Sequence, residues 1–286
     1  MKIGMLTGLW FVAESADLTV SLRRAAALGF RYVDLHGVFH AGPAHLTPAE
    51  RLAVRDEMAA LGLEPRNYVL HAPYNLASAS PAKLERCYQY LKEGIDLAVL
   101  WGVKQLMLNA GQWAYGVSRE AAWAQAVRFL QRVCDYALPR GVYIAQEAEP
   151  YVWFLVNDIT STLRMMADVD RPNLTTLIDL GHMALAREGP ADLARLWGSI
   201  IHAHFSDHEP LRHTNQVIGT GCVPIADYLQ ALQALDIDRQ MQHFGYDELV
   251  ISLELGAPGD RIADPDDRVR HSLQYLRQIA PDVTLK

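Results

Sequence analysis

Cysteine is scarce: Cys87, Cys134 and Cys222 form an odd set with no C-x-x-C spacing. That excludes a disulfide framework and a cysteine-based zinc site. Cys87 and Cys134 fall within helical patterns and are expected as buried packing. No apolar run approaches the roughly 20 residues that cross a bilayer. Positive charge is short as well, with 26 Lys and Arg against 33 Asp and Glu and a formal net charge of −7. That balance gives no electrostatic footing for a phosphate backbone or an anionic membrane, so neither nucleic acid nor membrane is expected as a partner. No linker or low-complexity tract interrupts the chain, and no G-x-G-x-x-G follows the first apolar run, which argues against an open dinucleotide-binding sheet. The apolar stretch from Lys2 to Ala13 is broken by Gly4, Thr7 and Gly8. It reads as a first strand rather than a signal peptide, and a cytoplasmic location is expected.

What is present is a repeated phrase: an amphipathic helix, a glycine, then a short apolar strand. It occurs at Leu28-Gly29-Phe30 before Tyr32, at Leu61-Gly62-Leu63 before Tyr68, at Trp101-Gly102-Val103 before Gln105 and at Arg140-Gly141-Val142 before Tyr143. Glycine just past a helix end takes the left-handed conformation at little steric cost, so each phrase is a helix stop feeding a strand. Thr47-Pro48-Ala49-Glu50 is a capping box with proline at the first helical position, and Ser80-Pro81 and Ser118 are similar starts. Strands are expected at Lys2–Met5, Tyr32–Leu35, Tyr68–Leu70, Gln105–Leu108, Tyr143–Gln146, Thr175–Ile178, Ile200–Ala203 and Leu249–Leu253. Eight strands alternating with helices favour a (β/α)8 TIM barrel, with residues 1–286 as a single α/β domain.

Four late strands carry chemistry at their carboxyl ends. Strand five ends in Glu147, strand six in Asp179, strand seven contains His204 and strand eight leads to Glu254. In a parallel barrel these ends lie side by side on one face, so the four side chains are expected to converge. Three carboxylates at short range need a countercharge. One divalent metal ion supplies it, and carboxylate oxygens with one imidazole suit manganese, magnesium, cobalt or zinc without choosing among them. His202 shares a strand face with His204 one layer deeper, where a supporting role is plausible.

These stretches, Gly141-Val142-Tyr143-Ile144-Ala145-Gln146-Glu147, Ile178-Asp179-Leu180-Gly181-His182, His202-Ala203-His204-Phe205-Ser206-Asp207 and Ile251-Ser252-Leu253-Glu254, resemble the xylose-isomerase-like TIM-barrel superfamily. That group includes sugar isomerases, ketose 3-epimerases, inosose-processing enzymes and endonuclease IV. The resemblance implies a metal held by Glu147, Asp179, His204 and Glu254, with His182 as a substrate contact or extra ligand. His71, opening His71-Ala72-Pro73-Tyr74-Asn75, resembles a stretch of endonuclease IV and several sugar isomerases. It is a further candidate for substrate binding.

Trp10 and Trp113 follow strand ends and are candidate stacking faces for a sugar, as is Trp153. His36, Asn109 and Gln112 are candidate hydroxyl partners at the same mouth, and His208, Arg212 and His213 lie on a long polar loop from His208 to Val223 that could cover it. The expected activity is a metal-dependent sugar isomerase or epimerase acting on a small sugar or cyclitol substrate. Glu147 and Glu254 would be the catalytic pair, one taking a proton beside a carbonyl and the other returning it through an enediolate. Only Gly219-Thr220-Gly221 could act as a phosphate loop, and it is a weak candidate, so an unphosphorylated substrate is preferred. Inosose dehydration would use the same first step. Phosphodiester hydrolysis at abasic DNA would need more histidines, and Asn109 stands where a strand-four histidine is expected. A homo-oligomer is compatible with the sequence.

Overall fold

Thr47 caps the third helix as its sequence implies: its side chain accepts the Glu50 backbone N–H, and Glu50 returns the bond to the Thr47 N–H at 2.7 Å. That helix stops at Gly62 with φ 66°, and the next long helix stops at Gly102 with φ 73°, both in the left-handed region. The computed structural model describes residues 1–38, 40–256 and 262–286. Its strands are β1 Lys2–Leu6, β2 Tyr32–His36, β3 Glu64–Val69, β4 Gln105–Leu108, β5 Tyr143–Glu147, β6 Leu174–Asp179, β7 Ile200–Phe205 and β8 Val250–Leu253. The helices are α1 Gly8–Glu14, α2 Leu18–Ala27, α3 Pro48–Leu61, α4 Pro81–Trp101 and α5 Arg119–Ala137. They continue with α6 Ile159–Val169, α7 Leu180–Leu185, α8 Ile225–Ala234, α9 Ile237–Met241 and α10 Pro265–Ile279. All neighbouring strands are parallel and close in sequence order, β1 to β8 and back to β1. The chain is a (β/α)8 barrel.

The core lies between the strands and the helix ring. Leu91 and Ile95 of α4 and Phe129, Leu130 and Val133 of α5 are buried there. Each such side chain contributes about 1.5–3 kcal/mol relative to exposure. Among the described residues no helix is long and apolar enough to cross a membrane.

Two register shifts aim side chains at the barrel axis. Thr176 pairs with Ile200, but Leu177 pairs with His202, so Ile201 is the extra residue. Because side chains alternate along a strand, that one-residue shift sets His202 and His204 in phase with Leu177 and Asp179. Asp179 and His204 thereby become direct partners. A similar shift at Val33/Asp34 skips Arg66 and pairs Asp34 with Asn67. β3 begins at Glu64, earlier than the apolar pattern suggests, because Glu64 and Pro65 already pair with Tyr32 and Val33. Arg66 supports that polar start from outside the pattern, with its guanidinium 3.8 Å from the Tyr246 ring centroid and its NH2 group donating to the Glu248 carbonyl at 3.0 Å.

Candidate metal and substrate site

Glu147 and Asp179 are the last residues of β5 and β6, His204 lies near the end of β7, and Glu254 follows β8. Each brings one atom into a cluster whose members all lie within 4.8 Å of one another. His204 Nδ1 is 2.9 Å from Glu254 Oε2 and 3.6 Å from Glu147 Oε1. Glu147 Oε1, Asp179 Oδ2 and His204 Nδ1 are buried, and none has a hydrogen-bond partner. Buried acceptors left in this state are costly, and here they face one another. A divalent cation satisfies all of them at once, and the oxygen-rich donor set with one imidazole fits manganese, magnesium, cobalt or zinc. The electrostatics state the same demand. Burial raises the Glu147 pKa. Burial would lower that of His204, but its hydrogen bond to Asp34 and the negative charge of the nearby Glu147 and Glu254 hold it well above the usual value. A proton on His204 and a cation among the carboxylates are alternative answers to one excess of negative charge.

The inward atoms are fixed by the groups behind them. Asp179 caps α7: its Oδ1 accepts the His182 backbone N–H at 2.7 Å and also the Ser206 hydroxyl. Oδ1 is thus occupied and Oδ2 is left for the cluster. Asp34 Oδ2 lies 2.7 Å from His202 Nε2 and 3.1 Å from His204 Nε2. A carboxylate only accepts, so the His204 proton sits on Nε2 and its Nδ1 lone pair faces the cluster. Burial opposes charge on Asp34, yet the two imidazoles bring its pKa down to about 2. Asp34 was not singled out from the sequence. The available signal was an acid within the buried strand Tyr32-Val33-Asp34-Leu35.

A cavity of about 250 Å³ opens over the cluster. Its polar lining is Glu147, Glu149, His182, His204, His213 and Glu254, and its apolar lining is Leu6, Leu9, Val12, Val38, Val69 and Met107. His36 and His71, from the ends of β2 and β3, also line it, and no lysine or arginine is among the described lining residues. His182 Nδ1 donates to the Ala148 carbonyl at 3.0 Å, and its Nε2 lies 2.6 Å from His213 Nε2. Burial works against charge on His182, but Asp179, Glu147, Glu149 and Glu254 push its pKa up to about 9. Burial, joined by His182, brings His213 down to about 4. Glu149, a lining residue the sequence reading passed over, is driven up to about 7, first by burial and then by nearby carboxylates against the opposing pull of His182.

Other sequence candidates lie elsewhere. Trp10 requires correction: it is fully buried in α1, its indole N–H donates to Asp266 at 2.7 Å, and it offers no stacking face. Asn109 lines an adjoining cavity with His71, Asn75 and Gln112. Trp113 sits half-exposed at the rim, its indole donating to the Val117 carbonyl at 2.6 Å, and it does not line the cavity over the cluster. Trp153 is likewise half-exposed and stacks on Tyr151. In the long loop, Arg212 is exposed and pairs with Glu209, whereas His208 is buried. The Gly219-Thr220-Gly221 turn wraps the carboxylate of Asp207. Gly219 and Gly221 each donate a backbone N–H to Asp207 Oδ2 at 2.8 Å, while His208 and Val223 donate theirs to Oδ1 at 3.0 and 3.1 Å.

Comparison with known proteins places these features in context. The sequence model described as xylose isomerase-like TIM barrel matches residues 22–279. An L-ribulose 3-epimerase of Methylomonas sp. (strain DH-1) is 23% identical over 219 residues, covering 73% of this chain and 74% of that protein. Among solved structures, D-psicose 3-epimerase from Clostridium cellulolyticum H10, determined with D-tagatose, superposes with a TM-score of 0.80 at 18% identity. That match covers 98% of this chain and 99% of the other. The IOLI protein with a bound zinc atom superposes with a TM-score of 0.78 at 17% identity, covering 98% of each chain. At these identities the structural likeness establishes the shared fold.

Proposed function

This chain belongs to the xylose isomerase-like TIM barrel family, and from that premise we propose that it is a divalent-metal-dependent epimerase or isomerase of a small, uncharged ketose. The observation that carries the reading is the set of buried, unpartnered atoms on Glu147, Asp179 and His204 that face one another beside Glu254. The ketose 3-epimerases among the relatives support the same reaction class. The substrate is uncharged because the described cavity wall offers carboxylates and imidazoles but no lysine or arginine to pair with a phosphate or carboxylate.

Glu147, Asp179, His204 and Glu254 would hold the cation, which when bound polarises a substrate carbonyl and acidifies the adjacent C–H. Glu147 and Glu254 come from strands separated by β6 and β7, so they reach the centre of the cavity from different sides. One removes the proton from the reacting carbon and the other delivers a proton to the opposite face. His182, with its Nδ1–H anchored on the Ala148 carbonyl, turns Nε2 to a substrate oxygen by exchanging its present partner, His213 Nε2, for that oxygen. Leu6, Leu9, Val12 and Val38 enclose the part of the substrate away from the cation and keep bulk water from the intermediate.

Two measurements test the proposal: metal content of the purified protein, and NMR of a panel of neutral ketoses incubated with it in deuterated solvent. Bound divalent metal together with solvent deuterium at the epimerised carbon is expected. Turnover of a ketose by rigorously metal-free protein would overturn the metal requirement. Turnover with metal but no solvent deuterium would replace proton transfer by hydride shift.

A further inference from the structure

The loop after β7 touches the metal cluster through a hydrogen-bond chain whose direction is fixed at every link. His208 is buried, and its Nδ1 accepts the backbone N–H groups of Thr214 at 3.1 Å and Asn215 at 3.2 Å. Backbone N–H groups only donate, so Nδ1 carries no proton and the neutral ring keeps its hydrogen on Nε2. That Nε2 lies 3.1 Å from Ser206 Oγ and donates to it. Ser206 in turn has one hydrogen to give, and its hydroxyl is bonded to Asp179 Oδ1. Both serine and histidine are buried, so water does not compete for these bonds. The same loop reaches a second carboxylate of the cluster, where Asn215 Nδ2 donates to Glu254 Oε1 at 3.0 Å. Its course is pinned beyond that point, with Gly256 N–H on the Asn215 carbonyl at 2.8 Å.

His182, His208 and His213 also bring ring nitrogens within 4.8 Å of one another. His208 has no lone pair left for a cation there, because one nitrogen accepts two backbone donors and the other carries the proton given to Ser206. The cluster is therefore not a second metal site, and the ring serves a different purpose.

We propose that His208 is a positioning residue that couples the order of the Thr214–Asn215 segment to cation binding, by way of Ser206 and Asp179. With the segment in place, the imidazole is oriented, Ser206 is directed at Oδ1, and Asp179 is held with Oδ2 toward the cluster. Binding at Oδ2 and at Glu254 in turn restrains Ser206 and Asn215, and through them the segment. The inference rests on the metal reading of the site but concerns a different link.

The test uses the full chain, with Mn²⁺ affinity measured by titration calorimetry or electron paramagnetic resonance and amide exchange followed at Thr214 and Asn215. In the wild type, Mn²⁺ is expected to slow exchange at those two amides. Ser206→Ala is expected to weaken Mn²⁺ binding about tenfold, the scale of losing a group that orients a ligand, and to uncouple exchange from the metal. His208→Asn keeps an acceptor near the Nδ1 position but withdraws the donor from Ser206. It should retain loop protection while binding Mn²⁺ as weakly as Ser206→Ala. His208→Gln keeps a donor at the Nε2 reach but removes the acceptor, so it should bind Mn²⁺ nearly as the wild type with a fast-exchanging loop. Wild-type affinity in Ser206→Ala and His208→Asn would overturn the proposal. So would wild-type exchange that is indifferent to Mn²⁺, a measurement that needs no variant. A wild-type chain that binds no Mn²⁺ at all would instead strike at the metal reading itself.

Discussion

The two halves of the barrel mouth both carry histidines and shift them in opposite directions. On the side of β2 and β3, burial drives His36 down to about 3, with His71 adding to the effect, and burial also lowers His71. On the side of β6 and β7, His182 is raised to about 9 and His204 well above its usual value. Burial opposes the charged imidazole in all four cases. What differs is the company: carboxylates gather at the ends of β5, β6 and β8, whereas Leu6, Val69 and Met107 line the other half. The fold supplies equivalent positions, and local charge decides which favour a charged imidazole and which a neutral one.

The comparison breaks most completely if the charged half loses the cation proposed for it. Asp179→Ala removes both an inward oxygen and the cap of α7, so the variant is expected to retain no metal and no activity, as read by metal analysis beside turnover. Glu147→Gln and Glu254→Gln keep size and hydrogen bonding but remove a base, and each is expected to lower turnover by at least about 10²-fold. One of the pair should still exchange the substrate C–H with deuterated solvent without forming product. Near-full turnover in both, with metal bound, would remove these glutamates from the proton transfer.

Asp34 sharpens the contrast, because it comes from β2 in the neutral half yet serves His204 in the charged half. Asp34→Asn still offers an oxygen to one ring but removes the charge that fixes both. Metal affinity is expected to fall about 10–100-fold with the fold retained, checked by calorimetry and circular dichroism. The neutral half is read through pH. The ordinary histidine value is 6.5 and folded His36 stands at about 3, so the unfolded chain takes up a proton that the fold refuses. The stabilisation is complete above pH 6.5 and declines as pH falls toward 3. His36→Gln should reduce the pH slope of stability by up to about 1.4 kcal/mol per pH unit across that window, measured by urea unfolding. An unchanged slope would show that His36 is already protonated in the folded protein.

Strand ends were legible because they combine two local signals: a short apolar run and the first charged residue after it. Glu147, Asp179 and Glu254 carry both. The support beneath them was not legible in the same way. Asp34 meets His202 across 168 residues of chain, and no local spacing encodes that meeting. The Ile201 bulge that sets His204 opposite Asp179 leaves no mark in the alternation of His202 and His204 with Ile201, Ala203 and Phe205. Trp10 is ambiguous in the sequence because an aromatic residue after a strand looks the same whether it faces a ligand or a helix. Its partner Asp266 lies on α10, at the far end of the chain. Glu149 was passed over because it lies beyond the apolar run of β5, where loop acids are usually solvated.

The Gly219–Gly221 turn has a further consequence for competition. Its two glycine N–H groups and those of His208 and Val223 already converge on the carboxylate of Asp207. Such a nest of amides is what a free anion would otherwise seek. The chain carries a tethered anion there, at an effective concentration that dissolved phosphate or sulfate cannot match. The amides of Gly219, Gly221, His208 and Val223 are therefore already taken, and a tethered tenant keeps that berth closed to a dissolved anion.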